Sequence, residues 1–66
     1  MNSIQKRINQ LDLVTKEKTE YTEEYFWHWT NGFIRRYQVV VPGRGGVDYI
    51  MITPKGKSFL EKNIGN

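Results

Sequence analysis

A small α+β domain is the fold class that this sequence predicts, and three observations predict it. Near the start, Ile4, Ile8 and Leu11 fall at i, i+4 and i+7, the spacing of one helix face. Further on, the apolar, β-branched runs 33–41 and 47–52 flank Pro42-Gly43-Arg44-Gly45-Gly46, the pattern of two strands around a loop. Thr53-Pro54 then opens another helix, with threonine at the cap and proline at the first helical position, where its missing N–H costs nothing. With 66 residues and no repeat, low-complexity stretch or shift of composition, residues 1–66 read as one domain.

In the first helix, Asn2 is the expected cap with Gln5 three residues on, and Lys6, Arg7, Asn9 and Gln10 face outward. Residues 14–22 are polar, carry Lys16 and Glu20 at i, i+4, and suit a short helix or a linker. Residues 22–31 admit two readings. As a helix, Thr22 caps it, Glu23 and Glu24 sit at its positive end, Phe26, Trp29 and Phe33 share one side, and Gly32 closes it. As a strand, the aromatic run turns at Asn31-Gly32 into the next strand, placing Trp29 opposite Ile34 and Trp27 opposite Arg36. Pro42 ends the following strand because it cannot donate to a ladder. Phe59, Leu60 and Ile64 form the apolar face of the last helix, which Gly65 stops.

Composition narrows the chemistry. A chain of 66 residues lies near the lower edge of what one hydrophobic core can hold. It has no cysteine, which excludes disulfides and thiolate metal sites, and His28 alone does not make a zinc site. Neither metal nor cofactor is expected. Two Trp, four Tyr and three Phe must supply the core, aided by self-association, so a homodimer is an expectation. The longest apolar run, Val39-Val40-Val41, is far short of the roughly 20 residues that cross a bilayer, so a cytoplasmic protein without membrane contact is expected. Charge is uneven. Residues 1–32 set Lys6, Arg7, Lys16 and Lys18 against Asp12, Glu17, Glu20, Glu23 and Glu24. Residues 33–66 set Arg35, Arg36, Arg44, Lys55, Lys57 and Lys62 against only Asp48 and Glu61. The basic character of the chain, net +3, therefore lies in its second half, as a chain with an anionic partner would have it.

The stretch Gly32-Phe33-Ile34-Arg35-Arg36, the hairpin 37–48, and Tyr49-Ile50-Met51-Ile52-Thr53-Pro54-Lys55-Gly56-Lys57-Ser58-Phe59-Leu60 resembles the wing and last helix of winged-helix proteins. In that family a helix ends at a glycine before two apolar residues, a β-hairpin follows, and a Tyr-x-x-x-Thr-x-x-Gly run opens the closing helix. Tyr49, Thr53 and Gly56 fall on that pattern. The resemblance covers about half the chain and implies a small winged-helix-like domain with an abbreviated N-terminal helical part. It also implies that 22–31 is a helix, in the place of the family's recognition helix. Only 21 residues precede it, where the family usually fits two further helices and a short strand, and Glu20, Glu23 and Glu24 would repel phosphates there. The alternative is a helix, a three-stranded antiparallel meander and a closing helix, with no family implied.

No enzyme is expected: Gly43-Arg44-Gly45-Gly46 lacks the Lys-Ser/Thr of a phosphate-binding loop and precedes a strand. The leading expectation is a module that binds double-stranded DNA through phosphates and acts as a regulator or accessory factor. Arg44 at the glycine-rich tip can enter a minor groove, and Lys55 and Lys57 lie beside the phosphate-attracting start of the last helix. Arg35 and Arg36 point to opposite faces of a strand, one over an aromatic ring and the other toward solvent or ligand. The second expectation is a protein-interaction module that inhibits or recruits a larger partner, with Tyr25, Trp27 and Trp29 as anchors.

Overall fold

The computed structural model describes residues 3–64, with side chains described for residues 4–63. The expected Asn2 cap, the Ile64 side chain and the Gly65 stop lie outside them. The order of elements is α1 (Ser3–Lys16), β1 (Thr19–Glu20), a 3-10 turn (Glu23–Tyr25) running into α2 (Phe26–Thr30), β2 (Ile34–Val41), β3 (Gly45–Ile52) and α3 (Pro54–Ile64). Three helices and one three-stranded antiparallel sheet make this a small α+β fold.

The apolar stripe of α1 continues one step beyond Ile4, Ile8 and Leu11. Val14 lies three residues past Leu11 and is buried with Ile8 and Leu11, so the helix extends into the segment that reads as polar. Lys16 pairs with Asp12 one turn back, Nζ–Oδ2 2.8 Å, and not with Glu20, which lies in β1. That short strand is the third of the sheet: Thr19 faces Ile50, Glu20 faces Tyr49, and Tyr21 N–H continues the ladder to the Asp48 carbonyl at 2.9 Å. The strand order β1-β3-β2 is not a meander. The aromatic segment is helical, and Ile34 and Arg36 pair with Ile52 and Ile50, not with Trp29 and Trp27.

The hairpin follows its turn residues. Pro42 and Gly43 take the second and third places of a turn closed by Arg44 N–H on the Val41 carbonyl at 2.9 Å, and Gly43 has φ 84°. Proline there, followed by a positive-φ glycine, is the residue pattern of a type II turn. Strand pairing resumes at once with Val41 opposite Gly45. The core gathers Ile8, Leu11 and Val14 of α1, Tyr25 before α2, Phe33, Ile34 and Ile50 of the hairpin base, and Leu60 of α3. Burying one such aliphatic side chain contributes about 1.5–3 kcal/mol.

One junction ties α2, β2 and α3 together. The chain leaves α2 through Gly32 at φ 74°, with Gly32 N–H on the Trp29 carbonyl (3.0 Å) and Phe33 N–H on the His28 carbonyl (2.9 Å), the double closure of a Schellman motif. Thr53 caps α3 by accepting the Gly56 N–H on Oγ1 at 3.0 Å, and its hydroxyl donates to the Gly32 carbonyl at 2.6 Å. Thr53 N–H in turn donates to the Phe33 carbonyl at 3.0 Å. The first turn of α3 is pressed so closely on Phe33 that a Cβ at position 56 would stand 2.0 Å from that carbonyl oxygen. The Thr-x-x-Gly run is thus a packing requirement: threonine joins two chain segments and glycine lets them touch.

Replacing Gly56 with alanine is expected to destabilise the domain by about 3 kcal/mol or more, because backbone must move to admit the methyl. Gly46→Ala is the matched control. Its methyl would meet only the end of the Gln38 side chain, at 2.8 Å, which can swing away, and a cost below about 1 kcal/mol is expected. Chemical denaturation of the two variants against the parent measures both.

Candidate functional site

Three aromatic side chains gather on the surface where β1 leads into α2. Phe26 is 54% exposed and Trp29 43%, while the neighbouring Tyr21 is half-buried. The Trp29 ring meets Phe26 at 6.3 Å and Tyr21 at 6.2 Å between centroids, both edge to face. The Arg36 guanidinium lies over Tyr21 at 4.0 Å and over Trp29 at 4.9 Å, and is held there by Asp48, Nη2–Oδ2 2.7 Å. Glu23 joins Tyr21 and Phe26 in lining a shallow hollow. Glu24 accepts a hydrogen bond from Gln10 Nε2 of α1 at 3.1 Å. Among the described residues, the aromatic surface thus has one carboxylate, Glu23, at its hollow.

A short helix offers little of its own to hold such a surface, and α2 has only five residues. Its inner side supplies the anchorage. His28 is fully buried, and its Nε2–H donates to the Arg7 carbonyl of α1 at 3.0 Å. Arg7 lies over the Trp27 ring at 4.3 Å, and Trp27 packs edge-on against Phe33 at 5.6 Å. Phe33 stacks on Phe59 of α3 at 4.5 Å with 18° between the planes. Tyr25 is buried beside His28, and that burial pushes its phenol pKa up, with Glu24 and Glu17 adding to the rise, so it stays a neutral hydroxyl.

These positions revise the expected sites. Tyr25 and Trp27 face inward and hold α2 in place; of the three anchors named from sequence, Trp29 alone is presented. Phe26 and Tyr21 stand beside it instead. Of the expected cationic residues, Arg36 is committed to Asp48 and the two rings, as one of the adjacent arginines was expected to be. Arg44 at the hairpin tip is paired with Glu20 of β1, Nη2–Oε1 3.0 Å. Lys55 is exposed in the first turn of α3, with Nζ 5.7 Å from the Phe33 ring centre. Lys57 is exposed one turn after the Thr53 cap, and Arg35 is exposed on β2 opposite Met51. Among the described residues, Arg35, Lys55 and Lys57 form no ion pair. The five cationic candidates are thus not one cluster.

Among the described residues no group of three His, Cys, Asp or Glu is placed to hold a metal ion, and no helix is long and apolar enough to cross a membrane. No protein-family model, curated protein or solved structure matches the chain.

His28 makes the anchorage of α2 sensitive to acid. Burial is the main cause lowering its pKa below 6.5; the bond to the Arg7 carbonyl opposes that shift and the Arg7 charge adds to it. Nε2 carries the proton, and buried Nδ1 has no partner that a second proton could meet. The unfolded chain therefore takes up a proton before the folded one does. The His28 contribution is complete above pH 6.5 and declines as pH falls from there toward the lower folded value. The limiting slope is about 1.4 kcal/mol per pH unit. Denaturation midpoints between pH 7 and about pH 5 are expected to fall in the parent and to lose that slope in His28→Gln. Ring NMR signals of the chain's one histidine should titrate below 6.5.

Proposed function

We propose that this chain is a small cytoplasmic protein-interaction module that recruits or inhibits a larger partner through Tyr21, Phe26 and Trp29. The observation that carries the reading is the exposure of Phe26 and Trp29 in a domain short of core material. Aromatic rings of this size are the usual energetic anchors of protein interfaces, and here they touch one another on a rigidly backed helix. Glu23 beside them fits a partner segment with an apolar or aromatic anchor flanked by lysine or arginine.

The order of helix, short strand, helix, hairpin and closing helix is not diagnostic of a winged helix; were the resemblance to hold, α2 would stand where that family reads DNA. The charges at this position oppose such a use. Glu23 and Glu24 open the segment, and Arg36 and Arg44 already face carboxylates. A duplex laid on this surface would meet acidic groups before cationic ones, whereas a basic peptide would find complementary charge.

Selection from a displayed random-peptide library tests the reading. Enriched peptides should combine a large apolar residue with lysine or arginine. Their affinity for Phe26→Ser should fall by about 30-fold or more, the effect of losing a hot spot, while the variant stays folded. Glu23→Lys should weaken binding most at low salt. Peptides that bind Phe26→Ser and the parent equally well would refute the site.

A further inference from the structure

We propose that the sheet carries a second, separate site, which binds single-stranded nucleic acid at the base of the hairpin, on the face opposite the aromatic patch. Strand alternation creates it. Arg36 faces Tyr21 and Trp29, so Arg35 and Tyr37, its neighbours in the strand, point the other way. On β3, Met51 lies directly opposite Arg35 and Tyr49 directly opposite Tyr37, which puts these four side chains on one face. Met51 is 48% exposed and Tyr37 37%, and the Tyr37 and Tyr49 rings lie 5.9 Å apart.

Cations surround this floor. A groove lined by Tyr37 and Met51 is flanked by Lys18, just past the end of α1, and by Lys57, in the first turn of α3. Lys18 Nζ stands 4.5 Å from the centre of the Tyr49 ring, and Arg35 adds a third charge in register with Met51. Glu17 is a carboxylate on the groove wall, and Glu20, opposite Tyr49, shares the face but is paired with Arg44. Arg35 and Lys57 form no ion pair among the described residues, in contrast to Arg36 and Arg44 on the rest of the hairpin.

An accessible ring and thioether between unpaired cations suit a ligand that alternates flat apolar faces with negative charges. Unpaired bases can stack on Tyr37 while their phosphates meet Lys57, Arg35 and Lys18. In a duplex the base faces are hidden inside the stack, so only the phosphates could contact this surface. The site therefore favours single strands, with little sequence preference because every base has a π-face.

Anisotropy of a fluorescein-labelled oligothymidylate of about 12 nucleotides, titrated with the whole chain, tests the proposal. Three phosphate contacts on a single strand predict a log–log salt slope near −2. A duplex of the same length should bind less tightly. Tyr37→Leu keeps an apolar partner for Tyr49 but removes the stacking face, and a loss of about fivefold or more is expected. The double variant Arg35→Ala with Lys57→Ala should flatten the salt slope by about two phosphates' worth. Phe26→Ser should bind like the parent, since Phe26 does not belong to this face. The proposal is overturned if the oligonucleotide does not bind at low salt, if the duplex binds as tightly as the single strand, or if folded Tyr37→Leu binds unchanged. A peptide-binding defect in Phe26→Ser leaves this readout untouched, so the two sites stand or fall separately.

Discussion

The hydroxyl of Thr53 joins two separate segments of this molecule, the end of α2 and the start of α3. It takes the Gly56 N–H and gives its own proton to the Gly32 carbonyl, so the start of α3 is bonded to the end of α2. Its backbone N–H reaches the Phe33 carbonyl, and the absence of a Cβ at Gly56 permits the approach. The stacking of Phe33 on Phe59, with Trp27 against both, occurs where these segments are brought together. A five-residue helix has almost no stability alone, since nucleating one turn costs more than a few hydrogen bonds return. The existence of α2, and so the presentation of Phe26 and Trp29, rests on this junction and on the His28 bond to α1 behind it.

Adjacent arginines divide the surface that the junction supports. Arg36 and Arg35 differ by one residue and therefore by one face of the sheet. The first is absorbed by Asp48, Tyr21 and Trp29, where it stiffens an aromatic patch with carboxylates nearby. The second stands unpaired among the described residues, beside Tyr37, Met51 and the lysines of the groove. The chain's net +3 is thus poorly described by halves of the sequence. The strand period separates Arg36 from Arg35 more sharply than their adjacent positions along the chain. Arg36 meets Asp48 on its face, and among the described residues Arg35 meets no carboxylate on its own.

This also explains which parts of the fold could be read from residues alone. Local chemistry was legible: Pro42-Gly43 sets the turn, Gly32 ends a helix, and Thr53-Pro54-Lys55-Gly56 starts one. Each of these is decided within a few residues. Strand β1 was not legible, because two residues have no pattern and their ladder is supplied by β3, about thirty residues away. The Glu20–Arg44 pair was invisible for the same reason, and with it the neutralisation of the tip. The helical reading of this segment places Phe26 and Trp29 on one side, and both are exposed there. The anchors Tyr25, Trp27 and Trp29 instead follow a strand's period of two, and in a helix Trp27 and Trp29 lie on opposite sides. Tyr25 and Trp27 accordingly turn inward.

Size gives the exposed side chains their meaning. In a chain of 66 residues without cysteine, stability has to come from apolar burial, and Leu11 and His28 are the largest side chains fully enclosed among the described residues. Phe26, Trp29, Tyr37 and Met51 nonetheless keep more than a third of their surface open. A scattered exposed aromatic needs no explanation, but these fall into two groups with different surroundings. Glu23 and the Asp48-paired Arg36 border the first, and Lys18, Lys57 and Glu17 the second. Because the groups share no side chain and lie on opposite faces of the hairpin, their binding energies should add independently. A domain too small for a pocket can in this way offer two surfaces, using a strand's alternation where a larger protein would use depth.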